Sequence, residues 1–206
     1  MDERERQSID ALRRGDIQGL ESLFQRYQLQ AIRTALLITN DRQLAEDIVM
    51  DSFLIVYDRI RQFDVRRPFL PWFYRIVVNN ALMALRQKRR RTMRKEQEEL
   101  LPRLPSRLHT PEEVCILAEL DDTLIQAFRT LPPKQRTAAV LRFYLDMDEA
   151  AMARVLGCPL GTVKWRLHAA RQRLRRILEK EGGNSHRVCI SGLSPAVAST
   201  IRGAIL

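Results

Sequence analysis

The sequence predicts an all-α protein: two small helical bundle domains joined by a flexible linker, the second bundle containing a helix-turn-helix. Apolar residues recur at helical spacing almost throughout. Glycine is scarce, at 8 of 206 residues. The run EQEELLPRLPSRLHTPEEV holds Pro102, Pro105 and Pro111 and cannot form one continuous helix. A chain of this length suits two modest domains better than one large one. The boundaries read as residues 10–95 for the first domain, 96–115 for the linker, 116–180 for the second domain and 181–206 for a C-terminal extension.

Three helices account for the first domain. DIQGLESLFQRYQLQAIRTALLIT carries Ile17, Leu20, Phe24, Tyr27, Ala31 and Ala35 as one stripe. DRQLAEDIVMDSFLIVYDRI is capped by Asp41 and has Leu44, Ile48, Phe53, Val56 and Ile60 among its apolar residues. LPWFYRIVVNNALMALRQKRRR starts near Pro71 and ends in the densest basic run of the chain. A helix dipole is satisfied by one or two C-terminal cations, so the seven from Arg86 to Lys95 point to phosphates. In the second domain, Asp148 caps a short helix with Ala151, Met152, Val155 and Leu156 on its apolar side. Gly157 suits a left-handed C-terminal cap, and Pro159 suits the start of the next helix. That next helix presents Val163, Leu167, Ala170 and Leu174 to a core, with Ile177 and Leu178 continuing the stripe. Gly161, Lys164, Trp165, His168, Gln172 and Arg176 lie opposite. A helix, a short turn with glycine and a second helix form the helix-turn-helix pattern, whose second helix enters the DNA major groove.

Charge agrees with this. Lys and Arg number 35 against 25 Asp and Glu, a net charge of +10, and the isoelectric point is about 10.2. Such an excess suits a polyanion. No stretch is long and apolar enough for membrane insertion, and MDERERQSID lacks the apolar core of a signal peptide. Cys115, Cys158 and Cys189 are odd in number and form no C-x-x-C pair, which argues against a disulfide framework or a metal site. His186 near Cys189 adds too few ligands to change that, and no cofactor is expected. Asp47 and Asp51, at i and i+4, have no His, Ser or Cys beside them. They fit a surface that docks a basic partner better than a catalytic pair. Trp72, Phe73 and Tyr74 stand beside Arg66, Arg67 and Arg75. Phe73 reads as core, whereas aromatics interleaved with cations can stack unpaired bases. No nucleophile–base pair or phosphate-cradling glycine loop is present, so no catalytic residue is expected.

These motifs together resemble the extracytoplasmic-function class of bacterial sigma-70-like initiation factors. AEDIVMDSFLIVYDRI resembles the family's polymerase-binding helix, FLPWFYRIVVNNALMALRQKRRR its promoter-melting helix, and the segment from LPPKQR to RQRLRRIL its upstream-reading domain. The match covers most of Asp16 to Leu178 in the family's order. It implies that Asp47, Met50, Asp51 and Phe53 meet the polymerase, in its clamp helices. It implies that Arg66, Arg67, Trp72, Tyr74, Arg75 and Asn79 hold the non-template strand of the minus-10 element. It implies that Gly161, Thr162, Lys164, Trp165, Arg166, His168 and Arg171 meet the minus-35 element. The partners implied are core RNA polymerase, promoter DNA and an anti-sigma factor; the compartment implied is the cytoplasm, at the nucleoid. The linker, acidic at Glu96, Glu98 and Glu99, would thread toward the polymerase active-site and RNA-exit region.

The chain departs from the family pattern at several positions. Met50 stands for a customary Gln, Val78 and Met83 for Arg and Asp, Trp165 for Ser and Ala169 for Arg. Trp165 therefore predicts an altered upstream preference. The rival reading is a stand-alone helix-turn-helix regulator that binds its operator without polymerase, its first bundle sensing a ligand or dimerising.

Overall fold

The computed structural model describes residues 2–95 and 128–181, with side chains described to Arg91 and Arg176 in the helices that end these stretches. The predicted linker, the start of the second domain and residues 182–206 of the extension lie outside the described residues. Helices α1 (Glu3–Arg13), α2 (Ile17–Thr39), α3 (Arg42–Arg59) and α4 (Phe69–Lys95) form the first group. Helices α5 (Pro133–Ala139), α6 (Glu149–Leu156) and α7 (Leu160–Glu181) form the second, and α5 runs straight into a π-helical turn at Val140–Tyr144. Among the described residues there is no strand.

Helix α1 lies in a stretch that the sequence pattern did not single out, because six of its eleven residues are charged and its apolar stripe is short. Ile9 and Leu12 are its apolar anchors. Glu5 is buried with them, and its carboxylate accepts from the Tyr27 hydroxyl at 2.8 Å. Burial and that carboxylate together push the Tyr27 phenol well above its ordinary range. The crossing is close because Gly19 is bare. A Cβ there would stand 2.3 Å from the Ser8 carbonyl oxygen and 2.6 Å from the Leu12 nitrogen.

The caps predicted from sequence are present. Asp41 Oδ1 accepts from Leu44 N–H at 3.2 Å, and Asp148 Oδ1 from Ala151 N–H at 2.6 Å. Gly157 ends α6 at φ 58°, in the left-handed region where a side chain would be strained. An aromatic cluster fills the first group: Phe53 lies 5.0 Å from Phe24 and 4.9 Å from Phe73 between ring centres, and Phe73 stacks on Phe69 at 5.8 Å.

The two groups share one continuous core. Every residue from Thr34 to Thr39 on α2 is buried, which a helix covered on one side alone would not show. The second covering comes from α5 and the π turn, while α6 lies against α4. Arg136 of α5 joins the groups by donating from Nη1 to the carbonyl of Ile38 at 3.0 Å. Nearby, Asn40 caps α2 at φ 59°, and its Oδ1 accepts from Arg129 Nε. Two guanidinium groups thus face the negative end of α2; Arg136 satisfies a backbone carbonyl that the helix itself leaves open, and Arg129 bonds the side chain of the capping Asn40.

Candidate nucleic-acid interface

Three surfaces gather the predicted residues. On α4, successive positions turn about 100°, so three neighbouring residues serve three environments. Phe73 and Val77 enter the core, with no exposed surface. Tyr74 and Val78 are also buried. Arg75 and Asn79 face outward, in a stripe continued by Met83, Arg86 and Arg90. Tyr74 therefore departs from its predicted role in this arrangement. Its ring sits near Tyr144 of the second group, and burial drives its phenol far above the ordinary range.

The loop before α4 is organised by Asp64, whose part sequence reasoning missed. Its Oδ1 accepts from Arg66 N–H at 3.1 Å and Arg66 Nε at 3.0 Å, while Arg67 Nε stands 3.5 Å from Oδ2. The Arg66 contacts, and the charge of Arg67, hold this carboxyl below its usual range. Both guanidinium groups stay largely in solvent, so the carboxylate fixes their direction without hiding them. An aspartate two residues before another residue's N–H is a turn signal that sequence could have supplied. Trp72 is half-buried, packed 5.1 Å from Phe63 and 5.7 Å from Phe69 between ring centres. One side of the indole is anchored by these rings and the rest is open to solvent.

The second surface is a ridge on α3. Asp47, Met50 and Asp51 are exposed. Phe53 is 2% exposed and belongs to the core, so it cannot present its ring to a partner. Leu54 and Tyr57, at i+4 and i+7 from Met50, occupy the outward ridge instead, exposed by 55% and 44%. The result is an apolar strip edged by aspartates. Its signal was present in the sequence as apolar residues on the polar side of α3.

The third surface is α7. Val163, Leu167, Ala170 and Leu174 are buried, and Gly161, Lys164, Trp165 and His168 are exposed. Beyond its chain neighbours and its own helix backbone, nothing lies within 4 Å of the place a Cβ would take at Gly161. Lys164 Nζ stands 3.8 Å from Glu149, and His168 meets Gln172 at 3.0 Å. Thr162 is half-buried behind this face. Arg166 and Arg171 turn toward their own group. Arg166 Nη1 lies 3.6 Å from Cys158 Sγ, and the Arg171 guanidinium sits 5.9 Å from the Phe143 ring centre. Their packing roles compete with the DNA contacts predicted for them.

An outward helix-turn-helix, a cation–aromatic helix start and an apolar ridge edged by aspartates together fit the class of helical DNA-binding proteins. Comparison with known proteins agrees. The family model for sigma-70 region 2 matches residues 23–91, and that for sigma-70 region 4 matches residues 121–174. The RNA polymerase sigma-H factor of Pseudomonas aeruginosa is 27% identical over 183 residues, covering 86% of this chain and 95% of that one. The ECF RNA polymerase sigma factor SigW of Bacillus subtilis is 27% identical, covering 82% and 94%. CnrH, solved in complex with the cytosolic domain of CnrY, shares the fold at a TM-score of 0.63 and 19% identity, over 87% of this chain and 99% of that one. RpoE from Bartonella quintana, solved with the anti-sigma factor NepR, matches at 0.58 and 22% identity, over 77% and 98%. The chain belongs to the sigma-70 family, in its extracytoplasmic-function class. A stand-alone regulator would account for the region 4 match but not for region 2. Among the described residues, no helix is long and apolar enough to cross a membrane.

Proposed function

We propose that this sigma factor works by physical capture at three places, without covalent chemistry. The α3 ridge of Asp47, Met50, Asp51, Leu54 and Tyr57 docks on core RNA polymerase. Arg66, Arg67, Trp72, Arg75 and Asn79 hold the separated non-template strand of the minus-10 element. Gly161, Lys164, Trp165 and His168 meet the minus-35 element. The observation that carries this reading is the outward stripe of Arg75 and Asn79 beside the half-open Trp72. Taking a base out of the stack costs a few kcal/mol, and stacking on an aromatic returns roughly 1–3 kcal/mol per base. The remainder comes from binding to polymerase. The site of action is then the cytoplasm, wherever the polymerase engages DNA. Because NepR holds the neighbouring RpoE, an anti-sigma partner is proposed for this chain as well.

The test is run-off transcription with bacterial core polymerase, with and without the full chain, on its own upstream region. Initiation that depends on the chain supports the proposal, and initiation equal in its absence overturns it. Gly161→Ala separates fold from function. The open space at Gly161 predicts an intact or slightly more stable helix, by up to about 1 kcal/mol. Promoter affinity should nevertheless fall, because a methyl group would stand between the backbone and a phosphate. Unchanged affinity would remove Gly161 from the interface.

A further inference from the structure

We propose that Trp165 sets the sequence preference of the upstream-reading helix by packing on the C5 methyl of a thymine. The inference rests on the sigma-factor reading and deepens it. Trp165 is 64% exposed, the most open of the large apolar side chains among the described residues. An indole folded back on a neighbour would be covered. Single exposed apolar residues are ordinary on protein surfaces, so its position must carry the argument.

Trp165 is the sixth residue of α7, within the first two turns. In a helix-turn-helix, the N-terminal part of the second helix is the part that meets base edges. Exposed Gly161, Lys164 and His168 surround it on the same face. Further along, Arg175 and Arg176 are also exposed, and they suit the flanking phosphates. Lys164 is drawn toward α6 by Glu149, so the outward reach at the centre of the face falls to Trp165. An indole offers one N–H donor and a wide apolar surface. In the major groove, the apolar feature that distinguishes one base from the others is the thymine methyl. The cationic surroundings make DNA the occupant that the charge favours over an apolar protein groove.

The experiment uses holoenzyme assembled from core polymerase and the full chain, selecting from promoters randomised across the upstream element. The wild type and Trp165→Phe should enrich thymine at the same one or two positions, and Trp165→Ser should lose that enrichment. Deoxyuridine placed at those positions deletes only the methyl. It should weaken wild-type binding about fourfold, the factor corresponding to one buried methyl group. Its effect on the Trp165→Ser holoenzyme should stay within roughly twofold. Melting curves check that the variants fold, as the exposure of the side chain leads one to expect. Identical enrichment by wild type and Trp165→Ser, or indifference to deoxyuridine, overturns the inference. Loss of core-polymerase binding by Trp165→Ser would instead assign the indole to a protein contact, and also overturns it. A wild-type holoenzyme that selects no promoter brings down the sigma reading along with this one. A selective holoenzyme indifferent to Trp165 brings down this one alone.

Discussion

Replacing Arg136 with leucine should open the seam between the two helix groups while leaving each group folded. Nη1 of Arg136 donates to Ile38 O at 3.0 Å, and Nη2 donates to Arg129 O at 3.0 Å and Leu131 O at 3.1 Å. Burial, reinforced by Arg129, lowers the pKa of this guanidinium, but an arginine stays charged at any ordinary pH. A hydrogen bond from a charged donor contributes about 1.5–3 kcal/mol net. One of the three crosses between the groups; the other two hold the turn that carries Arg129 onto Asn40. Leucine keeps much of the apolar stem but has no donor, so the Ile38 carbonyl loses its crossing partner. The closed arrangement should weaken by about 1.5–3 kcal/mol, or about 10- to 150-fold in its equilibrium with separated groups. Spin labels at Gln43→Cys and Arg173→Cys, with the native cysteines changed to serine, would report the separation. The distance distribution of Arg136→Leu should broaden toward longer values, and Arg136→Lys should fall between the two. An unchanged distribution together with an unchanged melting midpoint would refute the bridging role of Arg136.

Gly19→Ala forces a methyl against backbone atoms of Ser8 and Leu12, so α1 must shift. A loss of about 1–3 kcal/mol in a urea titration is expected; an unmoved midpoint would mean that α1 does not dock as described. At Asp41, burial opposes the charge, but Lys88 and the Leu44 N–H outweigh it and hold the carboxyl below its ordinary 3.8. Because the folded value is the lower one, this contribution is complete above the unfolded value and is lost as pH falls through the folded value. Melting midpoints between about pH 2 and 6 should therefore show a shallower acid decline for Asp41→Asn than for wild type. Asp146→Gly relieves a side chain held at φ 48°, a conformation that costs an L-residue roughly 1–2 kcal/mol, against about 0.4–1 kcal/mol of added unfolded-chain entropy, so stability should rise by up to about 1 kcal/mol. The Arg142 pair it gives up, at 3.7 Å and largely exposed on the aspartate side, offsets little of that.

What could be read from the sequence was local. The stripe of Val163, Leu167, Ala170 and Leu174 and the caps at Asp41, Asp148 and Gly157 depend on neighbours within a turn or two, and periodicity exposes them. Helix α1 escaped because its docking depends on a missing Cβ in another helix and on Glu5 being buried against Tyr27. The resemblance implies contact roles for Phe53 and Tyr74 because a motif names residues, whereas a helix distributes them. Adjacent positions at about 100° can fall on either side of a boundary that packing alone decides. For Tyr74 that boundary is drawn by groups distant in sequence, Thr34 and Tyr27 of α2 and Tyr144 of the second group, which no pattern within α4 reveals. Arg136 looked like one cation among many, and its buried bridge exists only once α2 and α5 meet.

The seam also bears on how two promoter elements can be read at once. With α6 against α4, the two DNA-reading groups are joined at a helix–helix contact, about 8–10 Å between axes. The minus-10 and minus-35 elements are about 25 base pairs apart, or about 85 Å along B-form DNA. One closed molecule cannot lie on both. Residues 96–127 join the groups, and a chain of that many residues can span at most about 105–115 Å. The covalent connection is therefore long enough for the separation, and the contacts through Arg136, Asn40 and the buried face of α4 oppose it. Setting the two readers apart on promoter DNA therefore costs the free energy of that seam. On this argument, a variant that loosens the seam without touching a DNA-facing residue should raise occupancy of polymerase at low sigma concentration. If Arg136→Leu opens the molecule but leaves its affinity for core polymerase unchanged, separation of the groups is not coupled to assembly.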